Sequence, residues 1–189
     1  MGMSVRHRTE EILRELEDNV LYLNDGQMDE FIEQILSAQH IFIAGAGRSG
    51  VMAQAFSNRL MHLGFSVSVV GEVTSPHSKA GDLLIIVSGS GETESLADLA
   101  HKAVQSGVKT ALVTMDGRSS IAQAADTIVV LPGVSPKLVH EGMNITSIQP
   151  MGTAFEQMCL LTFDAMVLEL MEQMKQDSLE MFARHADFE

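Results

Sequence analysis

Five short apolar runs in the middle of the chain constrain its fold more than any other feature. They occupy residues 40–44, 66–70, 83–87, 110–114 and 127–131, and each is rich in strand-forming side chains. Most run without polar interruption, the pattern of a strand covered on both faces rather than one. Apolar residues at helical spacing separate most of them, over 49–63, 93–106 and 119–125. Strands that alternate with helices in this way predict an α/β fold: a three-layer αβα sandwich around a five-stranded parallel sheet.

Two helices are predicted before the first strand. Over 4–24, Ile12, Leu13, Leu16, Val20 and Leu23 recur at helical spacing, and over 28–38 Met28, Phe31, Ile32, Ile35 and Leu36 share a face. Residues 132–150 read as irregular, with Pro132, Gly133, Pro136, Gly142 and Pro150. A long helix is predicted over 151–176, carrying Phe155, Met158, Cys159, Leu161, Met166, Leu170, Met171 and Met174. That apolar surface is wider than one packing face needs; a core contact together with a subunit contact accounts for it. The 189 residues fit one domain over 1–189, with helices 4–38 and 151–176 packed on the sheet.

Charge and cysteine usage exclude several functions. The net charge is −13 and the 12 Lys and Arg are scattered, so a nucleic-acid partner is not expected. The single cysteine, Cys159, rules out an internal disulfide and fits a reducing compartment. No apolar run is long enough to span a bilayer, and the opening MGMSVRHRTEE has no signal-peptide core. Arg6 stands where a myristoylation signal needs Ser or Thr. The expectation is a cytoplasmic protein with no membrane partner. A small phosphorylated ligand stays open, because backbone N–H groups hold an anion without a basic patch.

Two glycine-rich loops follow strands. In AGAGRSG, Gly45, Gly47 and Gly50 satisfy G-x-G-x-x-G, and Glu72 lies near the offset of an acidic ribose ligand. A dinucleotide site is one reading; a tight turn that needs glycine is the other. The second loop carries more information. Ser88 and Ser90 supply hydroxyls, Gly89 and Gly91 allow close backbone approach, and Thr93 falls at the opening turn of a helix. Capping alone would need only one of these residues. Two serines, two glycines and a threonine within six positions point to a phosphate cradle at the carboxyl end of a strand.

Taken together, AGAGRSG, SGSGET and QPMGTAFEQ resemble the sugar isomerase (SIS) domain family, and more narrowly its 6-phospho-3-hexuloisomerase branch. The similarity extends through the leading helices, RLMHLGF at 59–65, VVGEVTSP at 69–76, SIQPMGTAFEQ at 147–157 and ARHA near the end. There ARHADFE departs slightly from the family's RHANLE-like tail. The resemblance implies a five-stranded parallel sheet between helices, no cofactor, a homotetramer and a phosphorylated hexulose substrate. The implied reaction interconverts 3-hexulose 6-phosphate and fructose 6-phosphate. It needs a base to remove the C2 proton, a proton delivered to C3 through a 2,3-enediol, and polar groups that hold charge on the oxygens. The dispersed histidines and the cysteine on an apolar helix show no metal-ligand spacing.

The resemblance assigns Glu156 as the base. Its other reading is a capping box with Thr153, which Pro150 weakens by placing the helix start before Thr153. His62 is the candidate acid or ring-opening group; an isolated helical histidine is otherwise a surface or capping residue. Ring opening matters chiefly from the fructose 6-phosphate side, where O5 can close on C2. Ser49, Ser88, Ser90 and Thr93, with Gly89 and Gly91, are assigned to the phosphate, and Arg48 to substrate oxygens. Glu72 is left as a structural or loop contact. His77, Lys79, His140 and His185 acquire no role, and the glycosylation pattern at 144–146 has none in the cytosol. The competing functions are another SIS phosphosugar isomerase and a phosphosugar sensor without turnover. The acidic first 40 residues supply no DNA-binding head for a sensor.

Overall fold

The computed structural model describes residues 2, 4–136, 138 and 146–187. His140 and Asn144 of the glycosylation pattern lie outside the described residues. Two helices, α1 (Val5–Val20) and α2 (Asp25–Ser37), lead into β1 (Ile41–Gly45), α3 (Gly47–Leu63) and β2 (Val67–Val69). Then come β3 (Leu83–Val87), α4 (Glu94–Gln105), β4 (Lys109–Thr114), α5 (Ser120–Ala124), β5 (Thr127–Val130), α6 (Thr153–Met174) and α7 (Ser178–Phe182). The five strands form one sheet in the order β2-β1-β3-β4-β5, and every pair is parallel.

The period of two along each strand divides the core into two layers. Ile41, Ile43, Ile85, Val87, Ala111 and Val113 face one side and pack with α1, α2, α3 and α6. Phe42, Ala44, Leu84, Ile86 and Leu112 face the other and pack with α4 and α5. On the thicker side, Phe56 of α3 stacks on Phe163 of α6 at 4.3 Å and 10°, and Phe31 of α2 meets Phe56 at 6.5 Å. These contacts set α3 and α6 side by side. The α2 helix also covers the free edge of β5. Val130 N–H donates to Gln27 Oε1 at 2.9 Å, and the Thr127 hydroxyl donates to Glu30 Oε1 at 3.2 Å.

The first glycine loop has a packing explanation. A Cβ on Gly50 would lie 2.7 Å from Gly45 O, and one on Gly45 would lie 2.8 Å from the Gly50 Cα. Backbone meets backbone here, so β1 and α3 are as close as the chain allows. This approach accounts for Gly45 and Gly50 without any dinucleotide.

Several boundaries differ from the sequence reading. The last long helix starts at Thr153, not before it: Gly152 is its N-cap, and Met151 holds φ 46, outside the helical region. It ends at Met174, with Lys175 in the left-handed cap conformation. The first helix stops at Val20. Glu72 lies past the end of β2 in a turn, its N–H donating to Val69 O at 3.2 Å. The short α7 went unpredicted, because five residues carry too little periodicity to read; a capping box between Asp177 and Glu180 starts it. Among the described residues no helix is long and apolar enough to cross a membrane.

The Gly45–Gly50 contact is testable. Gly50→Ala is expected to push α3 off β1 and destabilise the protein by about 1–3 kcal/mol, the usual cost of overpacking. Thermal melting would show it as a lowered Tm; an unchanged Tm would mean that the contact relaxes freely.

Candidate active site

Parallel strands carry their carboxyl ends to one edge of the sheet, and the helices that follow begin there. Of the seven described helices, α1, α2, α5 and α7 have a side-chain cap, from Ser4, Asn24, Ser119 and Asp177. The starts of α3, α4 and α6, at Ala46, Thr93 and Gly152, have none. All three open near the candidate residues, as does the capped α5, whose Ser120 N–H bonds Glu92. The first-turn amides of α3, α4 and α6 have no side-chain acceptor, and with the positive ends of the helix dipoles this suits an anion.

The loop 88–93 is held from its outer side. Gly89 O accepts from Met115 N–H at 2.9 Å and from the Thr114 hydroxyl at 3.2 Å. Gly91 O accepts from Ile121 N–H at 3.2 Å. The Glu92 carboxylate takes the Ser120 N–H at 2.7 Å and also its hydroxyl. Those two bonds, the hydroxyl's first, hold the Glu92 pKa below the ordinary glutamate value. The clamp is therefore ionised at neutral pH, and its contribution is lost only as pH falls through that lowered pKa. Gly91 sits at φ +64, and a Cβ there would fall 2.0 Å from Ser119 Oγ, so no larger residue fits. Within the loop, Ser88 Oγ lies 3.4 Å from Thr93 Oγ1 and accepts from Gly91 N–H at 3.2 Å. Ser90 Oγ accepts from Glu92 N–H at 3.2 Å. Ser88 is buried, Ser90 and Thr93 half-buried.

Arg48 and Ser49 lie in the first turn of α3, Arg48 exposed and Ser49 half-buried. Arg48 bridges to α6: its Nε lies 2.9 Å from Glu156 Oε2, and its Nη1 donates to Thr153 Oγ1 at 3.5 Å. The Glu156 side chain is 15% exposed, against 62% for Arg48. No capping box forms between Thr153 and Glu156. The Thr153 hydroxyl turns back to Pro150 O at 2.7 Å, and Glu156 N–H donates to the Gly152 carbonyl at 3.1 Å. The carboxylate is thus held by the arginine instead of capping the helix. Phe155 anchors this turn; a Cβ on Gly89 would meet its ring at 3.3 Å.

His62 is placed elsewhere. It lies near the carboxyl end of α3, fourteen residues after Arg48, so about 21 Å away at 1.5 Å per residue. It is buried and stacks on His185 at 5.4 Å and 15°, and the Arg184 guanidinium donates to its carbonyl at 3.0 Å. One chain therefore brings together Arg48, Ser49, loop 88–93 and Glu156, and leaves His62 at the opposite end of the helix. Sequence reasoning missed Thr114 and Ser120, which hold the loop, and Thr153 as a partner of Arg48. Only the Ser119-Ser120 pair, a ready helix start, hinted at them. Among the described residues no group of three or more His, Cys, Asp or Glu could hold a metal.

The fold is an open parallel α/β sheet in which three uncapped helix starts lie beside an arginine-bound carboxylate. The SIS domain model matches residues 34–161, and the chain belongs to that family. It is 48% identical over 179 residues to a 3-hexulose-6-phosphate isomerase of Bacillus subtilis (strain 168), covering 95% of this chain and 96% of that protein. A crystal structure of a hypothetical protein superimposes with a TM-score of 0.88 at 38% identity, covering 99% of this chain and 98% of that one. A second, from Methanococcus jannaschii, has a TM-score of 0.82 at 34% identity and covers 95% of this chain and 99% of that one. For that protein the structure was taken to infer a molecular function of 3-hexulose-6-phosphate isomerase.

The carboxylate leaves a mark on its neighbour. Burial first, and the negative charge of Glu156 second, push the Cys159 thiol well above its ordinary pKa. Cys159 in the native protein is expected to resist iodoacetamide at neutral pH and to react once unfolded, as followed by mass spectrometry. Equal labelling of native and unfolded chains would contradict this.

Proposed function

We propose that this chain is a ketose–ketose isomerase that interconverts 3-hexulose 6-phosphate and fructose 6-phosphate through a 2,3-enediol. The observation that carries the reading is the Glu156 carboxylate, held at 2.9 Å by Arg48 where three uncapped helices open. The substrate phosphate sits on the amides of loop 88–93 and the hydroxyls of Ser88, Ser90 and Thr93, with Ser49 across the cleft. The sugar then lies toward the start of α6. Glu156 removes the C2 proton of the 3-ketose, and charge develops on the oxygens of the enediol. Arg48 orients the carboxylate through Nε, and its exposed remaining N–H groups serve those oxygens. Protonation at C3, with O3 gaining a proton and O2 losing its own, leaves the carbonyl at C2. The close relation to a named 3-hexulose-6-phosphate isomerase supports this substrate.

Two substitutions separate binding from chemistry. Thr93→Val keeps the shape of a residue that makes no capping bond, but removes its hydroxyl. It is expected to raise KM about tenfold or more, the worth of one hydrogen bond to a charged group, and to weaken inhibition by inorganic phosphate in parallel. Glu156→Gln keeps size but accepts no proton; kcat should fall at least roughly a hundredfold, with phosphosugar affinity and Tm nearly unchanged. Steady-state kinetics on purified protein decides both. Near-normal turnover in Glu156→Gln would remove it as the base. Ligand binding by the wild type without turnover of any phosphosugar would favour a sensor.

The assembly in this reading is a homotetramer. Leu21 of the α1 cap and Leu168 of α6 are 84% and 66% exposed, more apolar helical surface than one chain needs. His62 serves as the acid only if another copy brings the end of its α3 to this cleft. Light scattering at micromolar concentration is expected to show four copies, and a monomer there would overturn the assembly.

A further inference from the structure

We propose that Glu15, on α1, is a positioning residue for the isomerisation: it fixes the strap 147–149 and, through it, the start of α6 and the Glu156 carboxylate. The inference rests on the reading of Glu156 as the base. Glu15 lies outside the 34–161 segment matched to the SIS domain, on a helix that contributes nothing to the sheet. Its carboxylate nevertheless gathers the polar groups of the strap. The Ser147 hydroxyl donates to Oε1 at 2.5 Å, Ile148 N–H to Oε2 at 3.1 Å, and Gln149 Nε2 reaches Oε1 at 3.5 Å. Hydrogen bonds to a charged acceptor are the strong ones, and here both oxygens are used.

The strap leads directly to the cleft. Gln149 N–H donates to Ser147 Oγ at 3.0 Å, closing a tight turn around the hydroxyl that Glu15 holds. Pro150 follows, with a fixed φ and no N–H to offer. Its carbonyl accepts both Thr153 N–H at 3.2 Å and the Thr153 hydroxyl at 2.7 Å. Met151 stands at φ 46, a conformation that a non-glycine residue keeps only when its surroundings hold it. Gly152 O takes Glu156 N–H at 3.1 Å, and Thr153 Oγ1 receives Arg48 at 3.5 Å. Two sets of hydrogen bonds, joined through the Gln149–Pro150 peptide, thus link Glu15 to the Arg48–Glu156 pair. None of these hydrogen bonds is made to loop 88–93, which meets this turn through the apolar ring of Phe155 against Gly89. The strap therefore sets where the base stands, while the polar groups that hold the phosphate cradle, from Thr114, Met115, Ser120 and Ile121, lie outside it.

That division gives the test on the full-length protein. Glu15→Ala is expected to lower kcat about tenfold, the scale on which a misplaced catalytic group costs rate, while KM and inhibition by inorganic phosphate stay at wild-type values. Glu15→Gln keeps an acceptor and should recover most of kcat. Ser147→Ala should reproduce the defect, and the double variant should be no worse than Glu15→Ala alone, because both remove one link. Amide exchange of the peptide spanning 146–152 should quicken in Glu15→Ala. An unchanged kcat in both single variants, a change confined to KM, or additive losses would overturn the assignment. If Glu15→Ala does not fold, Ser147→Ala carries the same test. Should Glu156→Gln prove fully active, the base reading fails separately, and unchanged exchange at 146–152 in Glu15→Ala would then overturn the strap itself.

Discussion

Parallel pairing of β1, β3 and β4 is the constraint on which the site depends. Strands that point the same way end at the same edge, and right-handed crossovers must begin their helices there. The openings of α3 and α4 meet for that reason, whatever the ligand. Gly45 and Gly50 then bring the first of these helices against its strand at backbone distance. The aromatic contact between Phe56 and Phe163 brings α6 alongside, so its uncapped start joins the other two. The cleft is a product of chain direction before it is a product of particular side chains.

Side chains add the chemistry. The starts of α3, α4 and α6 carry no side-chain cap, whereas α5, which opens at the same edge, is capped by Ser119; at the three uncapped starts a ligand can supply the acceptor. Arg48 plays a related part. It spans two helices, reads Thr153 and Glu156 together, and turns the carboxylate away from the capping role that its sequence position offers.

Much of this was legible in the residues. Continuous apolar runs gave all five strands to within a residue or two, because burial on both faces writes itself into composition. A loop of special composition was legible too, since Ser88 through Thr93 supplies more hydroxyls and glycines than a cap uses. Other features depend on contacts between distant segments. The start of α6 was misplaced because Pro150 favours a helix opening, whereas the left-handed Met151 delays it by two residues. Glu92 reads as a loop acid until Ser120 is beside it, and Glu15 as a solvated helix acid until Ser147 is. His62 shows the opposite limit: the motif around it is recognisable, but only the direction of α3 reveals which end of the sheet it occupies.

The cover that α2 places over β5 has a consequence for the growing chain. The two partners of that edge, Gln27 and Glu30, leave the ribosome roughly a hundred residues before Val130 and Thr127. At the usual pace of synthesis, about 5–20 residues per second, the shield has seconds to form before the strand exists. An outer strand is the part of a nascent sheet that most readily recruits a neighbouring chain on a polysome. Here the order of the elements means that β5 emerges next to a helix already in place to meet it.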